Sequence, residues 1–229
     1  MKSIVNLTFT TPLLAALAFS SPVNAQGTFQ NLNFESASVS GYSPGNVPTV
    51  DGIPGWTAYI DGTPQGNILY NSLTLSTASI DILSPPYGVI DGNYSVMLQS
   101  GENPGGGQSA PTSVAQSGTI PANAQSLEFE VYDANLLLSV SFAGNTLSAW
   151  MLGSGRSPSG IPYNVYGIDI APYEGQYGQL EFTASPSGNV ELDDISFSTN
   201  SIAPEPNITV LAAIGGLLFG GRRWFARRS

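Results

Sequence analysis

Apolar and polar residues alternate with a period of two along most of this chain. In SLEFEVYD (126–133), Leu127, Phe129 and Val131 fall on one side and Glu128 and Glu130 on the other. LLSVSFAG (137–144) repeats the pattern with Leu138, Val140 and Phe142, and GQLEFTAS (178–185) sets Leu180 and Phe182 opposite Glu181. A strand turns successive side chains to opposite faces, so this period predicts strands with one buried face. Further strands are predicted at NILYN (67–71), LTLSTASIDIL (73–83), YSVMLQS (94–100), NTLSAWML (145–152), YNVYGIDI (163–170) and VELDDISFS (190–198). Turn formers separate them: Asp51-Gly52, Asp61-Gly62, Asp91-Gly92, Gly144-Asn145 and Gly188-Asn189. Many short strands at regular spacing predict an all-β fold, an antiparallel jelly-roll sandwich over residues 26–198. SGENPGGGQSAP (100–111) is predicted as a loop, and no segment of the domain carries a helical period.

The two ends break the pattern. Lys2, an apolar stretch centred on 13–19 and the small-residue site Val23-Asn24-Ala25 form an export signal over 1–25, with cleavage expected after Ala25. At the other end Pro204-Glu205-Pro206 can continue neither helix nor ladder, so 199–206 is a linker. Residues 208–221 are apolar except for Thr209. Those fourteen residues would form a helix about 21 Å long, against a hydrocarbon core of about 30 Å. Such a short C-terminal hydrophobic helix suits transient membrane insertion, with the arginines that follow it held on the cytoplasmic side.

Charge sharpens the division. The chain has six basic and sixteen acidic residues, and only Arg156 lies between Lys2 and the arginines of the C-terminus. The middle therefore repels nucleic acid and anionic membrane surfaces. With neither cysteine nor histidine, disulfides, thiol nucleophiles and Ser-His-Asp devices are excluded. The carboxylates are scattered over turns and strand faces, without the pairing that a glycoside-cleaving dyad requires. The chain reads as a protein that is not an enzyme.

The ending, with Pro204, Glu205, Pro206, the apolar run and the basic cluster in order, resembles the PEP-CTERM sorting signal of bacterial proteins. That resemblance implies recognition by an exosortase-type membrane protease, removal of the tail, and delivery to the cell envelope, outer surface or extracellular matrix of a Gram-negative bacterium. The RRWFARR cluster departs from the usual compact arginine run in being interrupted by aromatics.

The domain carries a second resemblance. NLNFESA (31–37) opens it, PGW (54–56) follows, and ELDDISFS (191–198) closes it. This order is similar to the galactose-binding-like β-sandwich used by many carbohydrate-binding modules. It implies that the first and last strands are neighbours, and that a structural calcium ion sits between them on Glu35, Asp193 and Asp194, with extracellular polysaccharide as a partner. The residues point the same way: in LDDISF, Asp193 shares a strand face with Ile195 and Phe197, so it is expected to point inward and to need either calcium or backbone N–H groups. Trp56, just after a turn, is expected in the core. Trp150, Tyr163, Tyr166, Tyr173 and Tyr177 could stack on sugar rings or simply pack edge strands. The leading expectation is an exported, non-catalytic surface or matrix protein for adhesion or polysaccharide association. A carbohydrate-binding module with a defined sugar site, or a glycoside hydrolase or lyase, is the alternative.

Overall fold

The computed structural model describes residues 28–74, 76–132, 137–186 and 188–202. The export signal, the sorting motif Pro204-Glu205-Pro206 and the hydrophobic helix with its basic tail (207–229) lie outside the described residues.

Among the described residues, sixteen strands follow one another. The first eight are β1 (Gly45–Pro48), β2 (Thr57–Ile60), β3 (Thr63–Gln65), β4 (Asn67–Tyr70), β5 (Ser79–Leu83), β6 (Ser95–Gln99), β7 (Gly101–Glu102) and β8 (Ser109–Ala110). The second eight are β9 (Thr112–Thr119), β10 (Ser126–Tyr132), β11 (Leu138–Phe142), β12 (Asn145–Leu147), β13 (Ala149–Arg156), β14 (Pro162–Asp169), β15 (Tyr177–Ala184) and β16 (Asn189–Ser198). They form an eight-stranded sheet in the order β1-β4-β5-β6-β16-β10-β14-β13 and a six-stranded sheet in the order β12-β11-β15-β9-β2-β3. Neighbours are antiparallel except β4 and β5, which run parallel. The fold is the expected all-β sandwich.

The alternating positions meet between the sheets. Leu127, Phe129 and Val131 of β10 and Val190 and Leu192 of β16 face Leu138, Val140 and Phe142 of β11 and Leu180 and Phe182 of β15, all buried in one cluster. Aromatic rings link the layers: Phe129 meets Phe182 edge-on at 5.3 Å, Phe182 meets Trp56 at 6.2 Å, and Trp56 meets Phe34 at 5.7 Å. Trp56 is thus a core residue, and its indole N–H donates to the Asn31 carbonyl at 2.9 Å. Burying rings of this size removes a large apolar area from water, worth about 2–3 kcal/mol each.

Four departures from the sequence pattern matter for the site. LTLSTASIDIL yields a strand at Ser79–Leu83, and Thr74 is held to the Thr77 carbonyl and to Gln99. NTLSAWML is split at Ser148 between β12 and β13, which belong to different sheets. SGENPGGGQSAP contains the short hairpin β7–β8. The opening segment NLNFESA is a run of turns rather than a strand. It still lies beside the last strand, where the Ile195 N–H donates to the Leu32 carbonyl at 3.1 Å and Phe29 packs on Phe197 at 5.5 Å. In the sheet, however, β16 sits between β6 and β10.

Candidate functional site

A β-bulge decides where the acidic residues of β16 point. Glu128 pairs with Ser196 and Glu130 with Asp193, so Phe129 alone opposes Asp194 and Ile195. Asp194 takes the left-handed conformation, with φ of 42°, as the extra residue of a bulge often does. One extra residue flips the alternation. Ile195 therefore stays in the core, whereas Asp193 turns to the outer face of the eight-stranded sheet with Glu191. The expectation that Asp193 shares the face of Ile195 and Phe197 is corrected by this bulge.

Register places four carboxyl groups on that outer face. Asp81 of β5 and Glu191 of β16 both pair with Met97 of β6, and Glu130 of β10 pairs with Asp193. Gly88 lies against Glu191 and Asp91 against Asp193, while Ser72 meets Asp81. Asp81, Glu191 and Asp193 are 1%, 3% and 1% exposed. Asp193 accepts from the Asp91 N–H at 3.1 Å and the Ser95 hydroxyl at 2.7 Å on Oδ2, and from the Asp194 N–H at 2.7 Å on Oδ1. Ser95 also reaches Glu191, whose Oε1 is buried without a partner. The Asp81 carboxylate accepts the Ser72 N–H at 2.9 Å.

Among the described residues the only base is Arg156, and its guanidinium donates to the Gly160 carbonyl. No cation offsets the burial. Desolvation accordingly pushes Asp81 up to about 6, and Glu191 and Asp193 up to about 7. Glu130 rises to about 7 through desolvation and then the nearby charges of Asp194 and Asp91, while a hydrogen bond from Tyr163 acts against the rise. Glu130 was expected to be a solvated strand residue. It is instead half-buried, and the alternation that placed it outward could not show that another segment lies over that face.

Glu35 holds the residues that follow Asp91. It accepts from the Asn93 N–H at 2.7 Å, the Asn93 side-chain amide at 2.8 Å and the Tyr94 N–H at 2.9 Å. Gly92 has φ of 60°, and a Cβ there would run into the Glu35 carboxylate, so a glycine is required at this turn. Glu35 and Asp193 are thus brought to one short segment, 91–95, as acceptors for its donors. Asp194 is exposed, and its charge lies near those of Glu130 and Asp91. Among the described residues, no group of three or more acidic side chains converges closely enough to hold a metal ion. The three residues do not fit the calcium cage that the resemblance implies. The alternative named in the sequence, backbone N–H groups, is what the structure supplies.

A different character marks the end of the sandwich where β1, β4 and β5 face β2 and β3. An open cleft of about 230 Å³ lies there, lined among others by Asn46, Gln65, Asn67, Thr74, Thr77 and Ser79. A second hollow, sharing Ile60, Gln65 and Pro104, adds Thr63 and Asn103. A third, across Thr74, adds Ser76, Gln99, Ser100 and Asn189. None of the lining residues is charged, although the chain has sixteen acidic residues. Gln99 donates to the Thr74 hydroxyl at 2.8 Å and the Thr77 carbonyl at 2.7 Å, which fixes the wall between two of the hollows. Asn46 and Asn67 are exposed strand residues that line the cleft. Sequence reasoning missed this region because Asn67, Thr74, Thr77 and Ser79 fall in segments read as strands, whose alternation does not show that they meet Asn46 and Gln65.

The aromatic candidates separate cleanly. Tyr166 is 7% exposed and stacks on Phe129, and Tyr173 packs on Phe142. Tyr163 lies over Gly155, where a Cβ would be 2.5 Å from its ring. Trp150 and Tyr177 are exposed. No aromatic ring lines the neutral cleft.

No family model matches the chain, and no curated protein matches it. Two solved structures are similar in part. One is the enzymatically active domain of tailspike protein 4 of bacteriophage CBA120, 12% identical with a TM-score of 0.38 over 73% of this chain and 21% of the tailspike chain. The chain thus spans about a fifth of that protein's length. The other is the carbohydrate-binding module TmCBM27, described for specific mannan recognition. It is 13% identical, with a TM-score of 0.27 over 46% of this chain and 73% of the module. Among the described residues, no helix is long and apolar enough to cross a membrane.

Proposed function

We propose that this protein is an exported, non-catalytic β-sandwich of the bacterial surface or matrix that associates with uncharged polysaccharide through the neutral cleft. One observation carries the reading: in a strongly acidic chain, three adjoining hollows have no charged residue in their lining, which is made of amide, hydroxyl and apolar side chains. Amide and hydroxyl groups both donate and accept, which matches the hydroxyls of a neutral sugar. A charged wall would pay desolvation against such a ligand. The cleft is small beside the roughly 300–1,000 Å³ of pockets that enclose a ligand, so it suits weak contact with successive sugar units along a chain. The buried carboxyls serve the fold in this reading: Asp193 and Glu191 are closed off from substrate, and catalysis is assigned to none of them.

Export through 1–25 and sorting at Pro204-Glu205-Pro206 by an exosortase-type protease complete the proposal and rest on the order of those residues. The test is migration of the protein through gels containing neutral or uronic-acid polysaccharides. Retardation by a neutral polymer is expected. Retardation by none of them, or release of reducing ends from any, overturns the reading. Mass measurement of the protein from its native envelope tests sorting, with a C-terminus near Pro204–Pro206 expected and an intact Ser229 contradicting it.

A further inference from the structure

The two large sheets have four edges, and three of them discourage pairing. β1, β3 and β12 are four, three and three residues long. β1 ends in Pro48 and β3 contains Pro64, neither of which can donate to an added strand. β13 is the exception. It has eight residues and no proline, and it pairs on one side only among the described residues. It also presents Trp150, Met151 and Leu152 at 51%, 58% and 44% exposure. Ile202 packs beside Leu152 over Gly167, but among the described residues the outer backbone edge of β13 is unpaired, and a long apolar edge of that kind is a template for another strand.

We propose that β13 is a self-association surface, pairing antiparallel with β13 of a second copy about a two-fold axis between Leu152 and Gly153. The faces of the strand select this occupant and register. Trp150 pairs with Gly167, Gly153 with Val165 and Gly155 with Tyr163, whereas Met151 pairs with the core residue Tyr166. Leu152 lies over Gly167 on the same face as Trp150, because the bulge between Met151 and Gly153 adds one residue. The outer face therefore carries Trp150, Leu152, Gly153 and Gly155, and the inner face carries Met151, Ser154 and Arg156.

Centred on that axis, every opposing pair shares a face. Trp150 meets the second copy's Gly155 beside the Tyr163 ring, Leu152 meets its Gly153, and Met151 meets its Ser154. Large side chains fall on small ones in both directions, which is the self-complementarity that an isologous interface requires. Charge agrees: the chain carries a net charge of −10, yet β13 has no acidic residue and holds Arg156, the only base among the described residues. Two such strands are where two acidic molecules can approach with least repulsion. An interface of this width falls below the roughly 1,200 Å² of standard stable complexes, so the dimer is expected to form at tens of micromolar. A surface protein joined edge to edge in this way would present paired clefts to a polymer.

The chain contains no cysteine, so a single introduced thiol reports one position. Across the proposed axis the two residues at 152 lie roughly 5–6 Å apart, within disulfide range. The full chain in mild detergent at about 100 µM, above the expected midpoint, is oxidised as Leu152→Cys and as the control Thr63→Cys on edge β3. A covalent dimer is expected from the first and not from the second, and adding Trp150→Lys should lower its yield about tenfold with the melting curve unchanged. No dimer from folded Leu152→Cys, equal yields from both positions, or a yield indifferent to Trp150→Lys would overturn the proposal. The last result would place association elsewhere, in the hydrophobic run 208–221.

Discussion

The acid-bearing outer face of the eight-stranded sheet and the cleft at its β1–β4–β5 side share strand β5 and differ in electrostatic character. The outer face buries Asp81, Glu130, Glu191 and Asp193 with no cation and pKa values raised to about 6 or 7. The cleft leaves neutral polar groups open to water. Net charge alone would direct attention to the acids, and a cluster of perturbed carboxyls is often a functional site. Here only Asp193 has both oxygens engaged, while Asp81, Glu130 and Glu191 each keep one buried oxygen without a partner; all are closed off, and the accessible chemistry lies where charge is missing. Accessibility, more than perturbation, separates a structural cluster from a binding surface.

That contrast can be broken most forcefully at Asp193. Asp193→Ala leaves the N–H groups of Asp91 and Asp194 and the Ser95 hydroxyl without their acceptor. A loss of about 3 kcal/mol in chemical denaturation is expected, with polysaccharide retention unchanged at temperatures where the variant is folded. Lost retention in a folded variant would join the two regions and contradict their separation.

Acidity acts next. Glu191 and Asp193 titrate near 7 in the folded protein and near 4 in the unfolded chain. The folded state therefore binds more protons between those values, so stability is full below about pH 4 for these groups and is lost as pH rises toward about 7. The melting temperature is expected to fall by about 5–10 °C between pH 5 and pH 8, and Glu191→Gln should flatten part of that slope. A melting temperature that rises over the same range would contradict the burial of uncompensated carboxyls.

Smaller effects sharpen the bulge and the metal question. Asp194 already has a positive φ, so Asp194→Gly should change stability by no more than about 0.5 kcal/mol, whereas Asp194→Val should cost about 1–2 kcal/mol. Equal costs from both would deny the left-handed bulge. Chelation of divalent ions at neutral pH should leave the melting temperature unchanged, because the oxygens of Glu35 and Asp193 are engaged by N–H and O–H donors. A clear fall on chelation would show that an ion shares them.

The strands were legible wherever one face is buried and the other wet, as in β10, β11 and β15. Thr112–Thr119 was not, because β9 is buried on most positions and several are small and polar, among them Thr112, Ser113 and Gln116. Such a strand loses its alternation. Glu35 and Asp193 both reach segment 91–95, but the face on which Asp193 lies depends on the bulge at Asp194. A bulge is set by the pairing of two distant segments and leaves no period of its own. The cleft was invisible for a related reason: Asn46, Asn67 and Thr74 acquire meaning only when β1, β4 and Thr74 converge.

Association with neutral polysaccharide through the cleft is tested most directly by comparing the unaltered protein with the double variant Asn46→Ala and Asn67→Ala on a panel of neutral and uronic-acid polymers. Both side chains are exposed, so the melting temperature should hold within about 2 °C. The unaltered protein should be retarded by at least one neutral polymer, and the variant's affinity should fall about tenfold. Equal retardation of the two proteins, or retardation by charged polymers alone, would contradict it.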